Sequence, residues 1–292
     1  FYVVHSTTPM LLPARSGLQV CTIYDLDFLD HPDQTRAEMR RDFPTLVQAH
    51  AARAGLVVTI SAYSKQRIEA RLGVPADRIT VCRPGVPSWI TGRSTPGASP
   101  GPRHLLFVGT LEARKNVAGL LAAYRLLVDR WPGAPPLVLA GQATPEAAAW
   151  VAEAKAPPLA GRVTVEGYVS HERRSQLYAG ACVLVLPSFD EGFGLPALEA
   201  MALGVPVVAS TAGALPEVVG DAGVLVDPAD QRALAHALER VCREPALASR
   251  LSDAGVVRAR EFDWASSARA LLGAYAERRA ASGLLPRRGG RR

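Results

Sequence analysis

The stretch from Pro187 to Ser210 reads PSFDEGFGLPALEAMALGVPVVAS, and its flanks decide the fold. Just before it, Cys182 to Leu186 is a continuous apolar run of strand length. Within it, Pro196 to Leu203 has the marks of a short helix, with Pro near the first turn and Gly204 after the last. Val205 to Ala209 is the next apolar run. Strands that are apolar throughout and alternate with helices belong to a parallel sheet covered on both faces.

The same alternation extends outward. His104 to Thr110 (HLLFVGT) reads as a strand, and Val117, Leu120, Leu121, Tyr124, Leu127, Val128 and Trp131 then recur at helical spacing. Leu137 to Ala140 and Val163 to Glu166 read as strands, Pro145 to Lys155 as an Ala-rich helix, and Ser170 as the N-cap of a helix through Tyr178. From Asp230 to about Arg279 the pattern is mostly helical. Ahead of this part, RSTPGASPGPR (Arg93 to Arg103) is aperiodic and rich in Pro, Gly and Ser, as a linker is. The first part repeats the pattern on a smaller scale. It has strands at Val20 to Tyr24, Leu56 to Ile60 and Ile79 to Cys82, and helices at Thr35 to Arg53 and Ser64 to Leu72. The expected organisation is a first α/β domain over 1–92, a linker over 93–103, a second α/β domain over 104–260, a helix over 261–280 and a basic tail over 281–292.

Ligands of open parallel sheets bind outside the carboxyl ends of the strands. The strand ending at Leu186 runs into a loop with Glu191, Gly192 and Gly194, and then a helix carrying Glu199. The two glycines permit unusual backbone angles and close approach of a ligand. Free amides and the dipole at the helix start favour an anion such as a diphosphate. The spacing of Glu191 and Glu199 can aim both carboxylates at one small ligand; a surface loop acid followed by a helix acid is the plainer alternative. A second strand end, Gly109-Thr110-Leu111-Glu112-Ala113-Arg114-Lys115-Asn116, offers two cations beside the N-cap Asn116, or simply a solvated basic pair.

Bulk properties exclude other classes. The formal charge is +6 over 292 residues. Leaving out Arg287, Arg288, Arg291 and Arg292 brings it to about +2, too little for a polyanion-binding body. No nucleic-acid partner is expected. No stretch approaches a membrane span, and no signal peptide is recognisable. Arg36, Arg40 and Arg41 allow at most peripheral membrane contact, a solvated helix face being the alternative. Cys21, Cys82, Cys182 and Cys242 lie far apart in sequence, as free thiols of a reducing, cytoplasmic compartment do. The scattered histidines His5, His31, His50, His104, His171 and His236 suggest no metal site, and no GxGxxG follows a strand.

Taken together, these motifs resemble glycosyltransferase family 4, whose members have the GT-B fold: two Rossmann-like, doubly wound parallel-sheet domains facing across a cleft. The Pro187 to Ser210 stretch is similar to the family signature of two glutamates separated by seven residues, here Glu191 and Glu199. Val108 to Asn116 (VGTLEARKN) resembles the diphosphate-binding loop, Gly213 to Pro228 a third typical segment, and Phe262 to Glu277 the terminal helix that crosses back to the first domain. The resemblance implies a retaining hexosyltransferase using a UDP- or GDP-sugar, no cofactor, no metal, and a glycan or lipid-linked acceptor. Arg114 and Lys115 would hold the donor diphosphate along the Gly109-Thr110 loop, helped by the amides of Gly192, Phe193, Gly194 and Leu195. Glu199 would hold the ribose, Glu191 would meet the transferred sugar, and the base would lie near Gly167-Tyr168-Val169.

Two departures from the family pattern stand out. Relatives often carry His-Asp where this chain has Tyr24-Asp25, and tyrosine is a poor base near neutral pH. The family's first domain also begins earlier than Phe1, so the resemblance implies an incomplete N-terminal domain, with donor binding but weak turnover by this chain alone. Two other readings remain: a non-catalytic nucleotide-sugar-binding or scaffold homologue, and a divalent cation held by Asp25-Leu26-Asp27.

Overall fold

The computed structural model describes residues 3–14, 16–30, 32, 37–90 and 103–281. The composition-derived linker, Arg103 excepted, lies outside the described residues, as does the basic tail beyond Ala281 and residue 36 of the proposed membrane-facing arginines. The chain divides into two compact units, Phe1–Gly85 with Asp263–Arg292, and Val86–Phe262.

The first unit holds a four-stranded parallel sheet in the order β1 (Val3–Ser6), β2 (Leu18–Thr22), β3 (Leu56–Thr59), β4 (Ile79–Val81). This corrects the three strands expected from sequence. β1 is short, half-buried and carries His5 and Ser6, so it shows no apolar run. Helices α1 (Asp27–Asp30), α2 (Ala37–Arg53) and α3 (Ala62–Leu72) complete the chain segment before β4. α3 starts earlier than expected because Ser61 is its N-cap, accepting from the Ser64 amide at 2.9 Å. Gly73 ends it in the left-handed region, at φ 66°. One face of the sheet is closed by Val47, Ala51, Ile68 and Leu72.

On the other face, Leu18, Val20, Leu56 and Val58 pack with Leu271, Ala274 and Tyr275 of α11 (Trp264–Ala281), the last helix among the described residues. His5 bridges the Tyr275 hydroxyl at 2.5 Å and the Thr22 hydroxyl at 2.8 Å, a satisfied histidine within the scaffold.

The second unit holds a six-stranded parallel sheet. Its strands in chain order are β5 (His104–Val108), β6 (Leu137–Ala140), β7 (Val163–Gly167), β8 (Ala181–Leu186), β9 (Val207–Ser210) and β10 (Val224–Val226). Across the sheet they run β10-β9-β8-β5-β6-β7. The chain therefore winds outward from β5 to one edge, returns to β8 beside β5, and winds to the other edge. This is the doubly wound order with a switch point between β5 and β8, where ligands of such sheets bind. Helices α4 (Val117–Arg130), α5 (Ala148–Ala154), α6 (His171–Gly180), α7 (Leu195–Ala202), α8 (Leu215–Val219), α9 (Gln231–Arg243) and α10 (Pro245–Ala259) follow the strands.

The strands are apolar because both faces are covered: β5 from Leu105 on, and all of β6, β8 and β9, are buried. The Ala-rich segment forms a 3₁₀ turn, Pro145–Ala147, before α5 rather than one helix from Pro145. β10 and α8 were not legible in the sequence, being three and five residues long. The four cysteines are free thiols, as expected, and two that lie far apart in sequence meet in space: Cys182 of β8 and Cys242 of α9 have their sulfurs 3.4 Å apart. Among the described residues no helix is long and apolar enough to cross a membrane.

Candidate active site

Strand β5 delivers one half of the site. Its end is packed against the end of β6 without room for side chains: a Cβ on Gly141 would lie 1.8 Å from the Gly109 carbonyl oxygen. The chain then passes exposed Thr110 into a 3₁₀ turn, Ala113–Lys115, and α4. Asn116 joins turn to helix in the left-handed region, φ 55°, which Asn tolerates better than most residues. Its side-chain oxygen accepts from the Gly119 amide at 3.2 Å, and its Nδ2 donates to the Pro187 carbonyl at 3.0 Å and the Pro228 carbonyl at 2.8 Å. The expected N-cap thus also bolts the loop after β5 to the segments after β8 and β10. Gly119 is required opposite it, since a Cβ there would sit 2.3 Å from Asn116 Oδ1.

Strand β8 delivers the other half. The Phe189 amide donates to the Arg114 carbonyl at 2.8 Å, so the two strand-end loops are joined backbone to backbone. Arg114 donates to the Asp190 carbonyl and to Glu191 Oε2, each at 3.3 Å, and to Glu112 Oε1 at 2.8 Å. Lys115 Nζ also pairs with Glu191 Oε2. Two cations and Glu191 therefore meet at the switch point. This overturns the alternatives of a solvated basic pair and a surface acid: the Arg114 and Lys115 side chains are each only 13% exposed, and Glu191 is buried. The loop after β9 braces Glu191 from behind. Ala214 N–H donates to the Glu191 carbonyl at 2.8 Å, and a Cβ on Gly213 (φ 63°) would come within 2.5 Å of the Glu191 nitrogen.

Glu199 sits one turn into α7. That helix starts at Gly194, in the left-handed region at φ 98°, and no side chain caps it. Its N-terminus therefore presents backbone amides and the positive end of its dipole at the switch-point edge of the sheet. Glu199 is buried, and its Oε2 receives the Tyr178 hydroxyl at 2.8 Å and an ion pair from Arg174. Trp89 completes this shell: Arg174 Cζ lies 5.9 Å from its ring centroid, and the Tyr178 ring stacks on it at 6.3 Å. Burial pushes the Glu199 carboxyl above its ordinary range, opposed by the charge and hydrogen bonds of Arg174 and Tyr178 and by nearby His171. Burial likewise drives the Tyr178 phenol well upward.

Of the remaining expected contacts, Tyr168 is 85% exposed just beyond β7, Val169 is half-buried and Leu195 is exposed. Phe193 turns inward against Phe262, leaving only its backbone for a ligand. Tyr24 and Asp25 belong to the first unit, just past β2. The Tyr24 ring is about half exposed, its carbonyl accepting from Ser64 Oγ at 3.0 Å. Asp25 accepts from the Asp27 amide at 3.3 Å at the start of α1. Sequence reasoning missed Arg174, Tyr178 and Trp89. The signal for the first two was present: they are four residues apart on α6 and so share a face. Trp89 carried none.

The family model for glycosyl transferases group 1 matches residues 102–244. The O-antigen chain mannosyltransferase B of Escherichia coli is 33% identical over 282 residues, 94% of this chain and 74% of that protein. The glycogen synthase of Mycobacterium tuberculosis strain H37Rv is 35% identical over 279 residues, 90% of this chain and 66% of its own length. Among solved structures, sucrose-phosphate synthase from Thermosynechococcus elongatus superposes with a TM-score of 0.76 at 25% identity, over 97% of this chain and 74% of that one. With two parallel-sheet α/β units of the GT-B type, and with these relatives, the chain belongs to the group 1 glycosyl transferases, similar to family 4, and is a glycosyltransferase.

Proposed function

We propose that the protein moves a hexosyl group, mannosyl or glucosyl, from a UDP- or GDP-sugar to a glycan or lipid-linked acceptor, with retention of anomeric configuration and without a metal. The observation that carries this reading is the convergence of Arg114, Lys115 and Glu191 at the β5/β8 switch point, beside the uncapped start of α7. Two desolvated cations and a helix N-terminus are what a departing nucleoside diphosphate requires. The names of the two relatives, a mannosyltransferase and a glycogen synthase, support a hexose as the transferred group and a glycan as acceptor.

In the proposed reaction the bond between the anomeric carbon and the β-phosphate oxygen breaks as the acceptor hydroxyl approaches the same face of the sugar. The acceptor oxygen bonds to the anomeric carbon, and its proton passes to the departing phosphate oxygen. Arg114 and Lys115 stabilise the charge that grows on the diphosphate, the amides of Gly192, Phe193, Gly194 and Leu195 add to them, and the Gly109-Thr110 turn lies alongside. Glu199 binds the ribose hydroxyls and Tyr168 with Val169 borders the base. Glu191 positions the sugar hydroxyls. Both cations pair with its Oε2, and their charge lowers the nucleophilicity of the carboxylate, which argues against a covalent intermediate. Tyr24 and Asp25 are proposed as contacts to the transferred sugar, and the working location is the cytoplasm or the inner membrane surface.

The test is a thermal-shift screen with UDP-, GDP- and ADP-sugars, followed by transfer assays with glycan and lipid-linked acceptors in EDTA. Binding to the native state raises the melting temperature by mass action. Stabilisation by one donor, EDTA-insensitive transfer and a product of unchanged anomeric configuration by NMR are expected. Donor binding without sugar release to any acceptor, even in a full-length version, would favour the non-catalytic homologue. Inversion or EDTA sensitivity would overturn the mechanism.

A further inference from the structure

The group around Glu199 is more elaborate than a ribose anchor requires. A lone carboxylate at a helix start can accept two hydroxyls, yet here Tyr178 and Arg174 both converge on one oxygen, Oε2. An ionised carboxylate has about four acceptor positions over two oxygens. Directing the protein's own donors to one oxygen reserves the other. Arg174 is itself fixed, its side chain 23% exposed and its guanidinium over the Trp89 ring, which also stacks on Tyr178. The four side chains come from the segment that follows β4, from α6 and from α7, so their meeting is a product of the second unit's fold.

We infer that Arg174 is a positioning residue for the donor nucleotide: backed by Trp89 and paired with Tyr178, it holds Oε2 of Glu199 so that Oε1 faces the vicinal hydroxyls of the ribose. This rests on the proposed role of Glu199. Arg174 has two effects that can be read separately. It fixes the carboxylate's orientation, and its charge opposes the burial that raises the proton affinity of Glu199. Among the described residues the titratable groups facing Glu199 are Arg174, Tyr178 and His171, all from α6. Arg174 is the strongest of the three in opposing protonation. Without it, Glu199 takes up a proton at a higher pH and loses acceptor capacity for the ribose there.

The experiment is calorimetric titration of wild type, Arg174→Met and Arg174→Lys with UDP, GDP and ADP and their 2′-deoxy counterparts, over about pH 5.5 to 8. Wild type is expected to prefer the ribonucleotide about tenfold, the worth of a hydrogen bond to a charged group. Arg174→Met should bind the ribonucleotide about as weakly as the deoxynucleotide, and its affinity should fall off at a higher pH than that of wild type. Arg174→Lys, which keeps the charge but not the planar fork, should restore the pH profile more than the ribose preference. If Arg174→Met weakens both nucleotides equally, or keeps the preference and the wild-type pH profile, the inference is wrong. Should Arg174→Met fail to fold, the split between pH profile and preference in Arg174→Lys decides the matter alone. Wild type that binds nucleotide without ribose preference would instead refute the Glu199 assignment, and wild type that binds none of the six would refute the donor site; in both cases the role of Arg174 falls with it.

Discussion

Glu191 and Glu199 are eight positions apart, both buried and both ion-paired, yet they are held in opposite ways. Glu191 lies in a loop between two cations, Arg114 and Lys115, with its backbone braced by Ala214. Glu199 lies on a helix with one cation and one phenol. The partners of Glu191 come from a turn at the end of β5, the strand on the far side of the switch point. Those of Glu199 come from α6, beside it. The first cluster is a network of two cations and two acids, Arg114 and Lys115 with Glu112 and Glu191, in which no one side chain is central. Glu199 is the centre of its cluster, and its partners serve it. A site for a leaving anion and a site for a neutral diol would be expected to differ in this way.

The largest expected effect breaks the first cluster. Lys115→Ala removes a cation from the proposed leaving-group site while Arg114 remains on Glu112, Asp190 and Glu191. Losing one preorganised donor to transition-state charge costs about 10² to 10³ in turnover. Initial rates with the donor identified by thermal shift should show that loss mainly in kcat, with KM changed far less. A loss confined to KM would place Lys115 in ground-state binding only. The comparison would then lose its catalytic half.

The second prediction concerns stability and acts on Glu199. Its carboxyl is held above its ordinary value of 4.5 in the folded protein, chiefly by burial. The folded state therefore binds the proton more tightly than the unfolded state. The stability this contributes is full below about pH 4.5 and is lost as pH rises through the folded-state value. Glu199→Gln has no such titration. The melting temperature of wild type relative to Glu199→Gln should thus fall as pH is raised above about 4.5, with nucleotide affinity rising over the same interval. Binding would need the ionised form that the fold disfavours. A difference that instead grows with pH would mean that the Arg174 pair outweighs burial.

How much of this was readable beforehand differs by level. The second unit's strands were legible because burial on both faces makes them continuously apolar, as in Leu105 to Val108 and Val183 to Leu186. The strand β1 was not, since an edge strand with His5 and Ser6 carries no such pattern. The two glutamates and the Arg-Lys pair stood out because strand ends of a doubly wound sheet are where ligands sit. Their burial did not, because it arises from loops contributed by distant segments: Gly213-Ala214 behind Glu191, and Trp89 over Arg174. Local spacing reports which face a residue shares. It is silent on what a loop from far along the chain will lay across that face.

The smallest effect tests what keeps the first cluster together. Asn116 spans three segments with three hydrogen bonds, at Gly119, Pro187 and Pro228, and does so from a left-handed backbone. Asn116→Gly keeps that backbone comfortable and removes the side-chain bonds; Asn116→Ala removes the bonds and adds the steric cost of φ 55°. Loss of the bonds should destabilise by about 1 to 3 kcal/mol, and the alanine variant should be worse than the glycine variant by about 1 kcal/mol more. Chemical denaturation of the two variants beside wild type gives both numbers. The telling comparison is catalytic. Because Asn116 ties the Arg114-Lys115 turn to Pro187, both variants should lose transfer activity beyond what their unfolded fraction explains, while the ribose preference carried by α6 and α7 stays at the wild-type level. If ribose preference falls with transfer, the two clusters are mechanically one, and the contrast between Glu191 and Glu199 is only a contrast of chemistry.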